Sequence, residues 1–245
     1  MKFGLWTFTP GLWPSVATLI VVPFLASLGM WQLDRAGQKR ELHSTYIQRQ
    51  QAAPVDLNRE IILRQDEQKI LWHRVSAFGQ FDESVQVLLD NQVKNNQAGY
   101  FVFTPFQLEG SDSWFLVNRG WLSAGLDRNK LPEFMHSNGL LQITGVVKHA
   151  QGTGILLGGK TEEELVPGIY RVNRIELPRL EKQLGRSLMP YVIRLDRESP
   201  SGYLREWSQP GSDENMHLGY AFQWFALTGM VLIIYIVLNL KKTDE

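Results

Sequence analysis

His217, Tyr220, Ala221 and Trp224 stand at i, i+3, i+4 and i+7, so on a helix they share one stripe. Gln223 lies beside them, about 9 Å along the helix axis from His217. A primary amide at that depth in an apolar helix costs free energy unless it finds a partner. Near the other end of the chain, Trp31, Gln32 and Arg35 supply an indole, an amide and a guanidinium within about one turn. Two readings fit these residues. In one, they form an aromatic belt with polar contacts between two helices through Gln32 and Gln223. In the other, they line a shared pocket for an amphipathic ligand at a membrane surface. A tetrapyrrole suits such a pocket: the neutral His217 imidazole can ligate haem iron, Tyr220 and Trp224 can flank the ring, and Arg35 can pair with a propionate. That makes His217 the metal-ligand candidate. His43, His73, His136 and His149 are scattered without an i, i+4 pair, and are expected to be surface or hydrogen-bonded residues.

Other motifs carry less chemistry. Asn118-Arg119-Gly120-Trp121 ends a strong strand pattern. Read structurally, it is a turn whose glycine takes positive φ, with Trp121 over the end of a barrel. Read chemically, Arg119 is a candidate anion contact. Gly154–Thr161 matches the phosphate-loop pattern G-x-x-x-x-G-K-[ST]. Three glutamates follow it directly and Pro167 stops the helix that such a loop requires, so no nucleotide is expected. No Gly-x-Ser-x-Gly elbow and no His-Glu-x-x-His motif occurs, and no nucleophile comes with a recognisable base, so the chain is not expected to be an enzyme. The 25 basic and 25 acidic residues balance, which argues against nucleic acid as a partner. Cysteine is absent, which excludes disulfides and thiolate metal sites.

The elements that must position His217 and Arg35 are two uncharged stretches, Gly11–Trp31 and Leu218–Leu240. Each is long enough to cross roughly 30 Å of hydrocarbon as a helix. Trp6, Trp13, Trp31 and Trp224 sit near their ends, where indoles prefer the headgroup layer. A cleaved signal peptide is a poorer account of the first stretch: Lys2 is its only leading charge, the apolar run is too long, and Ala26-Ser27-Leu28 is a weak cleavage site. The chain is therefore expected to be a membrane hairpin in contact with lipid, with residues 1–10 and 241–245 on one side and a domain over 32–216 on the other. The spans are 11–31 and 217–240. Basic residues flank both faces, Lys2, Lys241 and Lys242 against Arg35, Lys39, Arg40 and Arg205, and slightly favour the domain inside.

The first helix should continue to about Gln50. Strand patterns follow at Leu71–Phe81, Ser84–Leu89, Gly99–Leu108, Ser113–Trp121, Leu140–His149 and Leu188–Leu195. A short helix is expected over Pro178–Leu184, stopped by Gly185, and a linking segment over Ser199–Ser212. Most connections are too short for helical crossovers, so antiparallel pairing is expected. The fold class is two transmembrane α-helices plus a β-rich, antiparallel, barrel-like α+β domain.

Three segments carry a resemblance. Leu28-Gly29-Met30-Trp31-Gln32-Leu33-Asp34-Arg35, with Lys39 after it, looks like L-G-x-W-Q-x-x-R-x-x-x-K; Val117–Trp121 looks like V-N-R-G-W; His217–Leu227 looks like H-x-x-Y-A-x-Q-W-F-x-L. Arg74-Val75, Gly79-Gln80-Phe81, Gly99-Tyr100 and Thr104-Pro105 add support. In this order they resemble the Surfeit locus protein 1 family, assembly factors of haem–copper terminal oxidases. The resemblance implies an inner-membrane protein with cytoplasmic termini and a periplasmic domain, against the charge count. It implies a chaperone that holds haem, of the a type, or delivers it to the oxidase core subunit. His217 stands at the position of the family's proposed ligand. Its implied partners are that subunit and the haem-synthesis machinery. The alternative is a cofactor-free scaffold docking to the oxidase.

Overall fold

The computed structural model describes residues 2–3, 6–59, 67–125, 127, 130–137, 139–150 and 162–242. In chain order the elements begin with β1 (Lys2–Phe3), β2 (Trp6–Phe8), α1 (Leu12–Gln51), β3 (Val55–Asp56), α2 (Glu67–Ile70) and β4 (Arg74–Phe81). They continue through β5 (Gln86–Lys94), β6 (Gln97–Leu108), β7 (Trp114–Ser123), β8 (Leu141–Lys148), β9 (Glu162–Val166) and β10 (Ile169–Val172). They end with α3 (Leu177–Leu184), β11 (Leu188–Leu195), α4 (Glu214–Asn239) and β12 (Leu240–Lys242). The chain divides into two compact units, Met1–Ile47 with Ser208–Glu245, and Gln48–Trp207.

The first unit is a helix hairpin. Both α1 and α4 are long and apolar enough to cross a membrane. Small residues and one amide form the seam: Gly29, Gln32 and Ala36, at i, i+3 and i+7 of α1, are buried, as is Ala221 of α4. A methyl on Gly29 would lie 2.8 Å from the Phe225 ring, so glycine is what lets the helices approach there. Polar contacts tie the pair near both ends. At the chain-terminal end Asn239 Oδ1 accepts from Gly11 N at 3.0 Å, and the Ser15 and Tyr235 hydroxyls meet at 2.7 Å. There β2 pairs antiparallel with both β1 and β12, a small sheet that short apolar-flanked termini gave no pattern to predict. At the other end Gln32 meets His217. Gly11 and Gln32 are separated by about 30 Å of helix, the thickness of a hydrocarbon core.

The second unit is built on one nine-stranded sheet with the order β3-β4-β8-β11-β7-β6-β5-β10-β9. An additional β4–β6 pairing, Gly79↔Leu108 to Phe81↔Phe106, closes β4, β8, β11, β7 and β6 into a five-stranded barrel. At that closure a methyl on Gly79 would fall 1.9 Å from the Gln107 carbonyl oxygen, so the seam requires glycine. Val75, Phe106, Phe115, Val117, Ile143, Val147, Tyr191 and Ile193 fill the barrel. A second core, including Val87, Phe103, Leu116, Tyr170, Leu180 and Val192, packs on its outside.

The expected barrel-like domain is present, and the β11 and α3 boundaries agree to within a residue. Gly185 ends α3 at φ 64° as a left-handed cap. Most of the ladders are antiparallel as expected, with parallel exceptions: β11 runs parallel to β7, β10 to β5, and the two-residue β3 to β4. The first exception is forced, because a closed ring with an odd number of strands cannot alternate direction throughout. The phosphate-loop match at Gly154–Thr161 lies outside the described residues.

Candidate functional site

The residues singled out in the sequence fall into two places, one in each unit. At the non-terminal end of the hairpin, the turn before α4 is fixed to α1. Gly211, at φ 74°, has no room for a side chain: a methyl would lie 2.2 Å from the Lys39 carbonyl oxygen. The His43 ring meets the Pro210 carbonyl at 3.1 Å, Lys39 Nζ pairs with Asp213 Oδ2 at 2.9 Å, and Arg40 Nη2 with Glu214 Oε1 at 2.6 Å. The hydrogen bond from Lys39 holds the Asp213 carboxyl below its usual range.

That framework sets His217 one turn into α4. Its Nδ1 lies 2.8 Å from Gln32 Oε1, and its Nε2 is 3.8 Å from Asp213 Oδ2. An amide oxygen can only accept, so in the neutral ring Nδ1 carries the proton and Nε2 keeps its lone pair. The 3.8 Å separation is beyond hydrogen-bond reach. The carboxylate behind it already has the Lys39 ammonium as counter-charge. A histidine fixed through Nδ1 by a carbonyl, with Nε2 unbonded, is the arrangement found at metal-binding imidazoles.

Helical phase orders the remaining candidates. Arg35 follows Gln32 by three residues on α1, and Tyr220 follows His217 by three on α4. Each is therefore about 60° to one side of its seam residue. In an antiparallel pair these rotations fall on the same side. Trp31 and Arg35 thus share a face with Tyr220 and Trp224. Tyr220 is 46% exposed. Arg35 is exposed too, with Nη1 donating to Gln38 Oε1 at 2.9 Å and its guanidinium 5.7 Å from the Trp31 ring centre. Gln223 is exposed and lies farther round the helix. The seam therefore joins Gln32 to His217, not to Gln223. The aromatic stripe hid this pairing. The clearest missed residue is Asp213, whose signal was its i, i+4 spacing to His217.

In the barrel unit, Arg119 is wholly buried. The Asn118-Arg119-Gly120 segment does not end its strand; it forms a bulge inside β7, where the register against β6 shifts between Val102 and Phe103. Asn118 Oδ1 accepts from Gly120 N at 3.0 Å, and Gly120 adopts φ 119°. The bulge turns Arg119 inward. Its Nε donates to Ser201 O at 2.7 Å, Nη2 to Met135 O at 2.8 Å, and Nη1 meets both Glu83 carboxylate oxygens at 3.2 and 3.1 Å. The anion that Arg119 contacts within the domain is thus Glu83. Trp121 is mostly buried and donates its indole N–H to Gln92 O at 2.9 Å.

Comparison with known proteins adds a second line of observation. The family model described as SURF1 family matches residues 19–229. A SURF1-like protein of Rickettsia bellii is 26% identical over 230 residues, covering 90% of this chain and 88% of the relative. A SURF1-like protein of Caenorhabditis elegans is 24% identical over 241 residues, covering 91% and 72%. The cytochrome oxidase assembly protein SHY1 of Saccharomyces cerevisiae is 26% identical over 161 residues, covering 60% and 40%.

Proposed function

This chain belongs to the SURF1 family, and from that premise we propose that it is a membrane-anchored assembly factor for a cytochrome oxidase. We propose further that it holds haem, of the a type, at the His217 end of its helix pair and passes it to the oxidase core subunit after receiving it from the haem-synthesis machinery. The printed name of the yeast relative supports the assembly role. The single observation that carries the haem reading is the His217 Nδ1–Gln32 Oε1 contact at 2.8 Å, which leaves Nε2 as the unbonded nitrogen.

The residues present fit the group. Gln32 fixes the imidazole tautomer and direction. Lys39 offsets the Asp213 charge behind the ring. Arg35, on the water side of the same face, provides a cation for a propionate, and Trp31, Tyr220 and Trp224 provide apolar walls. When bound, haem supplies the iron that accepts the Nε2 lone pair. The chain acts as a chaperone and not as an enzyme. The domain lies in the periplasm and both termini in the cytoplasm of a cell with an inner membrane.

One observation favours a scaffold reading. Lys39–Asp213, Arg40–Glu214 and Gln32–His217 together form a complete clasp that needs no ligand. Both readings predict an assembly defect, which is the first test. Cells lacking the chain should hold several-fold less assembled oxidase, and the wild-type chain should restore it. Normal oxidase in the deletion strain overturns the assembly role.

A further inference from the structure

At the chain-terminal end of the hairpin, the small sheet is fastened to α4. Thr9 N donates to Asn239 O at 2.9 Å and Gly11 N to Asn239 Oδ1 at 3.0 Å, and the Phe8 and Tyr235 rings meet edge-on with centres 5.9 Å apart. Strand alternation sorts the side chains of that sheet. Leu240 pairs with Phe8 and Lys242 with Trp6, so these four share one face. Lys241, paired with Thr7, stands on the other. Along the chain β2 runs toward α1, and β12 runs away from α4. Phe8 and Leu240 are therefore the pair next to the helix ends, and Trp6 and Lys242 are the pair farther out.

Trp6, Phe8 and Leu240 face Ile236 and Val237 of α4 around an open cavity of about 640 Å³. Ligand sites span about 300–1,000 Å³. The residues lining it are apolar, and Trp6, Ile236 and Val237 are exposed. Lys242 is exposed as well. Depth decides what meets this surface. Gly11 and its partner Asn239 mark one edge of the roughly 30 Å of helix that ends at Gln32. Ile236 and Val237 lie less than one turn inside that edge, and Lys242 lies beyond it, at the level of the headgroups. We propose that this face binds one phospholipid with a net-negative headgroup. An acyl chain fills the cavity against Phe8, Leu240, Ile236 and Val237. The Lys242 ammonium and the Trp6 indole N–H donate to the phosphate oxygens at its rim. The order of the side chains favours lipid over a partner helix: cation and indole outermost, apolar wall inward, which is the polarity profile of a phospholipid. Lys241 adds attraction to an anionic leaflet without lining the cavity. Asp244 and Glu245, the nearest acidic residues in the sequence, lie outside the described residues.

Native mass spectrometry tests this on the full chain, released from maltoside micelles with added dioleoyl phosphatidylglycerol or dioleoyl phosphatidylcholine. The wild-type chain should retain one phosphatidylglycerol, with about fivefold preference over phosphatidylcholine, the discrimination one lysine gives at an anionic surface. Lys242→Gln should lower that occupancy about fivefold and bring the two lipids level. Lys241→Gln removes the same charge from the other face and should keep the preference. Val237→Trp, a change at a lipid-exposed position that fills the cavity, should lower retention of both lipids. Equal losses in Lys241→Gln and Lys242→Gln would reduce the effect to general charge attraction and overturn the site. Unchanged retention in Val237→Trp overturns it too. So does a dimer that carries no lipid and is broken by Val237→Trp, which would assign the face to a second copy of the chain.

Discussion

Arg119 and Arg35 are the same residue type in two opposite settings. A buried guanidinium is tolerable only when its donors are met and its charge is paired. Arg119 meets that condition through Glu83, Ser201 and Met135, and its charge also faces the Phe81 and Tyr203 rings at 4.7 and 5.5 Å. Glu83 in turn accepts from Ser137 N at 3.0 Å and Ser137 Oγ at 2.6 Å. Arg119→Met should therefore destabilise the domain by about 3 kcal/mol, at the lower edge for a broken buried pair because Ser137 still serves Glu83. Denaturant unfolding of the full chain measures this, and an unchanged midpoint would remove the pair from the account of stability. Spacing could not separate the two arginines in the sequence. An N-R-G triplet is compatible with a turn that exposes the arginine and with a bulge that buries it, and only the partner strand β6 decides which. Arg35 stays on a helix face with Gln38, open to an external anion.

At the scale of elements, local pattern was a good guide where a segment reports its own environment. Leu188–Leu195 and the helix ending at Gly185 were legible because apolar runs and a left-handed cap are local signals. The β9–β10 pair was not: Glu162, Glu163 and Glu164 precede Leu165, and this edge strand is stabilised by its neighbour and not by its own apolar pattern. Barrel closure was illegible for the same reason. It depends on Gly79 facing Gln107, two residues far apart in the chain. Gly79→Ala should force the β4–β6 seam apart and cost more than about 3 kcal/mol, beyond the propensity difference between the two residues. Thermal unfolding checks this, and a variant as stable as wild type would mean that the strands close without that contact.

At the scale of the molecule, the hairpin was the most legible feature, since uncharged stretches of spanning length are rare outside membranes. Its seam was less so: Gln32 faces His217 because the helices are antiparallel and in register, which neither helix encodes alone. The proposed orientation rests on the family and not on charge, so it calls for its own test. The chain has no cysteine, so single introduced ones are unique labels. With a permeabilised outer membrane, an impermeant thiol reagent should label Ser111→Cys and leave Asp244→Cys unlabelled; the reverse pattern would invert the orientation. The central claim is that His217 holds haem at the end of the helix pair, and haem bound per chain in purified wild type and His217→Ala tests it most directly. Wild type should retain a Soret band through purification, and His217→Ala should lose most of its haem while inserting and unfolding as wild type does. Equal haem in both proteins, or none in either, would contradict the claim and leave the clasp of Gln32, His217, Asp213 and Lys39 as the reason for these residues.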